Sequence, residues 1–272
     1  MALTQYEMLQ KAEKVFAERL ARDGRIQNLL SLMRDGRAEQ RHAQEYAQRI
    51  GYICSTSLRS VIGDVAELPG GVMPADYAEY LLTNRLRSDY SDIVAYADAV
   101  QNTIYADQGL GIQALDPAFP SDRLSGLVEK ITGSTPEELE VWFGEPVTNF
   151  DMSVFDKWVE TNVEACWNAG FSAKIVRTTG PATTKTYKQI YHGKKGNSVY
   201  TVTKNLPCKL CTGVAGTYDY GNHPDDIFKR HAGCRCVVLY VTSNRVEDVW
   251  THKEAEEDIK RRAAYGLDLT RL

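Results

Sequence analysis

Apolar residues in the first half of the chain recur at the three- and four-residue spacing of a buried helix face. Leu9, Ala12, Phe16 and Leu20 form one stripe, and Ile26, Leu29, Leu30 and Met33 continue it. Thr4-Gln5-Tyr6-Glu7, just ahead of the stripe, has the form of a capping box. In that arrangement the Thr4 and Glu7 side chains satisfy backbone N–H groups that the first turn leaves unpaired. Asp35-Gly36 is the expected stop. A second helix is expected over about residues 38–66, ended by Leu68-Pro69-Gly70-Gly71, and a third over about residues 74–105. Residues 109–121, with Pro117 and Pro120, read as loop. Thr135-Pro136-Glu137-Glu138 is the clearest helix start, with a threonine cap, proline at the first helical position and glutamate three residues after the cap. A longer helix is expected from near Ser153, where Phe155, Trp158, Val159, Val163, Cys166 and Trp167 trace one buried face.

After Gly180-Pro181 the period shortens. Residues 187–191 and 198–203 are rich in β-branched and aromatic types, and two glycines lie between them, which predicts a β-hairpin. Residues 237–241 (Val-Val-Leu-Tyr-Val) predict a strand, and residues 246–264 return to a helical pattern. The expected fold is α+β: a mainly helical region over residues 1–179 and a small metal-stapled α+β domain over residues 180–272. The stripes over residues 9–20 and 26–33 exceed what one short helix must bury. Docking of the N-terminal helices on other subunits is therefore expected.

No apolar run approaches the roughly 18 residues that cross a bilayer, and the N-terminus lacks the basic-then-apolar pattern of a secretory leader. A reducing cytoplasm is the expected setting, where disulfides are disfavoured. That bears on the cysteines, because four of the six fall within residues 208–236. The order is Cys208-x2-Cys211, nineteen residues, then His231-x2-Cys234-x-Cys236. A Cys-x2-Cys turn sets two sulfurs on one side of a knuckle, as a tetrahedral ion requires. Thiolates with an imidazole select zinc or an iron–sulfur cluster over magnesium or calcium. Zinc is the expected ion, held by four of the five candidates Cys208, Cys211, His231, Cys234 and Cys236. The site reads as structural, since full protein ligation leaves no open position for water. Cys54 and Cys166 each stand alone in apolar helical stretches and read as inert buried thiols.

Charge is unevenly spread. Residues 174–209 hold eight basic residues and no acid, whereas residues 76–116 hold seven acids against Arg85 and Arg87. Lys188, Lys194, Lys195 and Lys204 are the candidate phosphate contacts of this basic stretch. Solubility of an exposed turn is the competing explanation.

The run Leu206-Pro207-Cys208-Lys209-Leu210-Cys211 through His231-Ala232-Gly233-Cys234-Arg235-Cys236 resembles the C-terminal signature of the Mu protein F-like phage head morphogenesis family. That signature is a Cys-x2-Cys, a Gly- and Asp-containing spacer and a His-x2-Cys-Arg-Cys motif leading into a final strand. Here Gly213, Gly216, Tyr218, Asp219 and Gly221 lie in the spacer, and the match covers about forty residues. The resemblance implies a minor capsid protein of a tailed phage, located in the virion near the portal and in host cytoplasm during assembly. It implies a non-catalytic role in assembly, with portal and other capsid proteins as partners and packaged DNA as a further contact. Two enzymatic alternatives compete. A zinc-dependent nuclease of HNH or His–Cys type would use His223 and His231, but needs a helix where an apolar strand follows Cys236. An ADP-ribosyltransferase would use Ser55-Thr56-Ser57 and Glu138-Leu139-Glu140, but both lie in predicted helices.

Overall fold

The computed structural model describes residues 3–62, 68–180, 183–193, 196–206, 209–230, 234 and 236–243. Seven helices come first: α1 (Gln5–Arg22), α2 (Gly24–Arg34), α3 (Gln40–Ile62), α4 (Ala75–Asp107), α5 (Ser121–Ile131), α6 (Pro136–Trp142) and α7 (Glu145–Asn168). Then follow β1 (Ser172–Thr178), β2 (Thr183–Gly193), β3 (Gly196–Leu206), the short α8 (Lys209–Gly213), β4 (Gly216–Asp219) and β5 (Val237–Ser243). The expected helix over residues 246–264 lies outside the described residues.

The caps account for several boundaries. At α1, the Thr4 hydroxyl accepts from the Glu7 N–H and the Glu7 carboxylate accepts from the Thr4 N–H at 2.8 Å, the capping box read from the sequence. A continuous helix to Met33 does not form. The Asp23 carboxylate accepts from the N–H groups of Arg25 and Ile26, both at 3.0 Å, and pairs with Arg49, so it caps a new helix two residues before its first amides. Gly36, with φ of 66°, closes α2 by donating to the Met33 carbonyl at 3.0 Å, a left-handed position that glycine occupies without a Cβ penalty. Helix α6 starts at the second capping box, Thr135 with Glu138. Helix α7 begins at Glu145, well before Ser153, because Val147, Phe150 and Met152 extend its buried face. Helix α5 had no counterpart in the pattern reading; its buried Leu124, Leu127 and Ile131 are a stripe too short to stand out.

The apolar stripes of α1 and α2 turn inward. Met8, Ala12, Phe16, Ile26 and Leu29 are buried in the chain's own core, and Leu9, Leu20, Leu30 and Met33 pack against it. Helix α1 lies on α3 and α4, so these stripes are covered by the chain's own helices. Helices α3 and α7 pack against each other along their length. At their crossing a Cβ on Gly51 would lie 3.1 Å from the Thr148 Cα, so glycine permits the approach.

Three strands form an antiparallel sheet in the order β4-β1-β5, and β2 and β3 pair separately as the expected hairpin. The hairpin is longer than read, and its turn residues 194–195 lie outside the described residues. Strand β1 lies on the helical side of residue 180, and Lys174 and Arg177 interrupt the apolar run that would have marked it. Arg177 is nonetheless fully buried, because its guanidinium donates to the carbonyls of Asp226, Ile227 and Lys229 and holds that loop against the sheet. Ala173, Ile175, Val238, Leu239 and Tyr240 share one core with the helices. Trp158 of α7 stacks on Phe155 at 5.7 Å and meets the Tyr240 ring at 5.9 Å, joining helical body to sheet.

The outer edge of β5 is sealed by glutamines. Gln44 donates from Nε2 to the Cys236 carbonyl at 2.8 Å and accepts from the Val238 N–H at 2.9 Å. One turn earlier, Gln40 accepts from the Tyr240 N–H at 3.0 Å and donates to Gln101 at 2.6 Å. One helical turn advances about 6 Å and two strand residues nearly 7 Å, so glutamines four apart on a helix match alternate amides of a strand. The edge that would otherwise template aggregation is thereby closed by side chains of the same chain.

Candidate metal centre

Cys211 sits on α8, and Cys234 and Cys236 lie in the segment that enters β5. All three are buried, and one sulfur from each lies within 4.8 Å of the others. The Cys211 and Cys234 sulfurs are 3.7 Å apart, the separation of two thiolates on one tetrahedral ion. Cys208 and His231, the other two candidates, lie outside the described residues.

The surroundings fix this trio. The Cys236 carbonyl accepts from Gln44 and from Arg230 Nη1, each at 2.8 Å. Arg230 in turn forms a two-pronged ion pair with Asp156 of α7, Nη2 to Oδ1 at 2.7 Å and Nε to Oδ2, with both side chains 6% exposed. Such a fork ties the cysteine segment to the helical body. The same guanidinium lies 3.9 Å from the Cys234 sulfur. A hydrogen bond from Cys234 lowers Cys236 below the usual thiol range. Giving that bond, together with burial, pushes Cys234 up to about 12. A divalent ion held there would displace thiol protons, and Arg230 would offset part of the thiolate charge. Three converging buried sulfurs could hold a metal ion, and a donor set of sulfur alone suits zinc or iron better than a hard cation.

The basic stretch divides on inspection. Arg177 is buried and spent on carbonyls, Lys174 lies 3.6 Å from Asp219, and Lys188 pairs with Glu140 of α6. Lys194 and Lys195 lie outside the described residues, and Lys204 pairs with Lys185 in the β2–β3 register. Apart from contact with α6, the hairpin strands pack mainly on each other, and Tyr191, Val199 and Tyr200 are exposed on them.

The residues of the enzymatic alternatives are spread over several elements. Residues 55–57 lie within α3 and residues 138–140 within α6. Glu138 caps α6, and Glu140 is held by Arg59 at 3.1 Å and by Lys188. The His223 ring packs among Tyr220 and Phe228. Cys166 is buried, with its sulfur 3.0 Å from the Tyr105 hydroxyl, and burial raises its thiol above the usual range. Among the described residues no helix is long and apolar enough to cross a membrane.

Four residues that organise the site were not singled out from the sequence: Gln40, Gln44, Asp156 and Arg230. Only Arg230, beside His231, lay near a recognisable motif. The glutamines and Asp156 sit in helices far away along the chain, where nothing in the local pattern marks them. No family model, curated protein or solved structure matches this chain.

Proposed function

We propose that the chain is a minor capsid protein of a tailed phage, a non-catalytic component of head assembly near the portal, built around a structural zinc. The convergence of Cys211, Cys234 and Cys236, in the order of the Cys-x2-Cys and His-x2-Cys-Arg-Cys motifs, carries this reading. Zinc is ligated by four of Cys208, Cys211, His231, Cys234 and Cys236. It locks the sheet to α7 through Arg230 and Asp156. Full ligation by the chain favours a staple over a reactive centre.

The β2–β3 hairpin is the surface offered to neighbours. Its exposed Tyr191, Val199 and Tyr200 supply apolar contact, and Lys194, Lys195 and Lys204 supply charge for packaged DNA. With Lys188 engaged by Glu140, about three phosphates remain to be neutralised, a slope near −2.7 in log affinity against log salt.

Elemental analysis and co-expression test the reading together. Protein purified without added metal should carry zinc that Cys211→Ser removes, and should co-purify with portal protein. Mass spectrometry of purified virions should find the chain at low copy number. A well-behaved monomer that ignores portal and cuts plasmid in a metal-dependent manner would overturn the assignment.

A further inference from the structure

A second set of metal-binding side chains lies inside the helical body. Cys54 of α3, Asp89 of α4 and Asp151 of α7 are all fully buried, and one ligand atom from each lies within 4.8 Å of the others. Asp89 Oδ1 accepts from Arg85, whose other Nη reaches Glu13 at 2.6 Å. Asp89 Oδ2 and both carboxylate oxygens of Asp151 have no hydrogen-bond partner among the described residues. A buried carboxylate without a partner is a costly arrangement, and it is relieved by a proton or by a cation. A proton is the poorer remedy here. Burial does push Asp151 well above the usual carboxylate range, but a buried carboxyl O–H needs an acceptor, and neither Asp151 oxygen lies within hydrogen-bond reach of one.

We propose that Cys54, Asp89 and Asp151 form a second zinc site that clamps α3, α4 and α7 together. Three donors converge, the Cys54 sulfur and one carboxylate oxygen each from Asp89 and Asp151, and three of the four carboxylate oxygens have no partner among the described residues. Donors around tetrahedral zinc lie about 3.4–3.8 Å apart, so side-chain rotations closing the cluster by roughly 1 Å bring these three into place. Charge balances as well. One thiolate and two carboxylates against Arg85 leave a deficit that a divalent ion cancels. Arg85 on the far oxygen of Asp89 is the outer contact that orients a metal-bound carboxylate. A thiolate with two carboxylates favours zinc over magnesium or calcium. Gly51, one turn before Cys54, makes room: a Cβ there would meet the Asp151 Cβ and Oδ2 at 3.1 Å.

The test uses the full chain and is independent of the cysteine centre. Zinc is counted in the unchanged protein, in Cys211→Ser, and in Asp151→Asn and Cys54→Ala. The expected result is two equivalents in the unchanged chain and one in each variant. A readout that does not depend on Cys211→Ser folding is the melting temperature with and without chelator. The unchanged chain should lose more on chelation than Asp151→Asn does. Cobalt added to the stripped protein should give a thiolate-to-metal absorption that Cys54→Ala weakens. Asp151→Asn and Cys54→Ala that keep the full metal complement of the unchanged chain would overturn the proposal. So would a chelator effect that Asp151→Asn leaves intact. Loss of metal in Cys211→Ser alone would leave the first centre standing and remove this one.

Discussion

Replacing Gln44 by leucine tests whether the sealed strand edge sets the stability of the sheet and of the cysteine centre. Leucine matches the glutamine in size, so the change removes hydrogen bonds without opening a large cavity. The Val238 N–H loses its acceptor, at 2.9 Å, in a buried position. The Cys236 carbonyl loses one of two donors but keeps Arg230 at 2.8 Å. An orphaned buried donor costs about 1–3 kcal/mol and a lost hydrogen bond with a surviving partner roughly 0.5–1.5. The expected loss is therefore about 2–4 kcal/mol, a large share of an ordinary domain's stability. Gln44→Glu separates the two bonds. Its carboxylate still accepts from Val238 but sets a buried charge against the Cys236 carbonyl. It should be worse than leucine at pH 7 and should recover on acidification, when the neutral carboxyl can donate to that carbonyl. Urea unfolding followed by circular dichroism measures both, in zinc and in chelator, with exposed Gln27→Leu as control. A loss for Gln44→Leu below about 0.5 kcal/mol, the scatter of surface substitutions, would refute the reasoning.

Three further outcomes follow from the same contacts. Asp156→Asn strands the buried Arg230 guanidinium and should cost about 3–5 kcal/mol, whereas Asp156→Leu combined with Arg230→Met should recover much of it; single and double variants of equal stability would refute the pair's role. Asp23→Ala removes the cap of α2 and the pairing of Arg49, and should lower unfolding free energy by about 1–2 kcal/mol, with helicity by circular dichroism falling alongside; an unchanged denaturation midpoint would count against it. Asp98, raised to about 6 from 3.8 by burial and by its bond to Asp116, favours its protonated form when folded. Its contribution is complete below about pH 4 and is lost as pH rises through 6. The unchanged protein should therefore gain stability on acidification from pH 7 to 5 relative to Asp98→Asn, which keeps an acceptor for Trp158 Nε1; a stability difference flat across that range would refute the assignment.

Much of the chain was legible without coordinates, wherever the cause is local. Both capping boxes, at Thr4–Glu7 and Thr135–Glu138, formed as read, because a cap involves side chains and amides three residues apart. The hairpin and strand β5 followed from their β-branched and aromatic runs, and three cysteines of the two motifs converge. What failed were readings that depend on neighbours distant along the chain. Strand β1 carries Lys174 and a buried Arg177, acceptable only because the carbonyls of residues 226–229 reach that guanidinium. The stripe over residues 9–33 looked like an interface because its covering helices, α3 and α4, are specified elsewhere.

The sequence by itself determined the helix caps, the periods and the sulfur spacing, since each is set by residues within a few positions of one another. Only the tertiary structure decided that Gln40 and Gln44 would close an edge about 200 residues downstream. It alone decided that Arg230 would find Asp156, and that Cys54 would meet two unpartnered carboxylates. A buried polar group is tolerable only when a complementary partner arrives, and partners so far apart in the chain leave no periodic trace in one sequence.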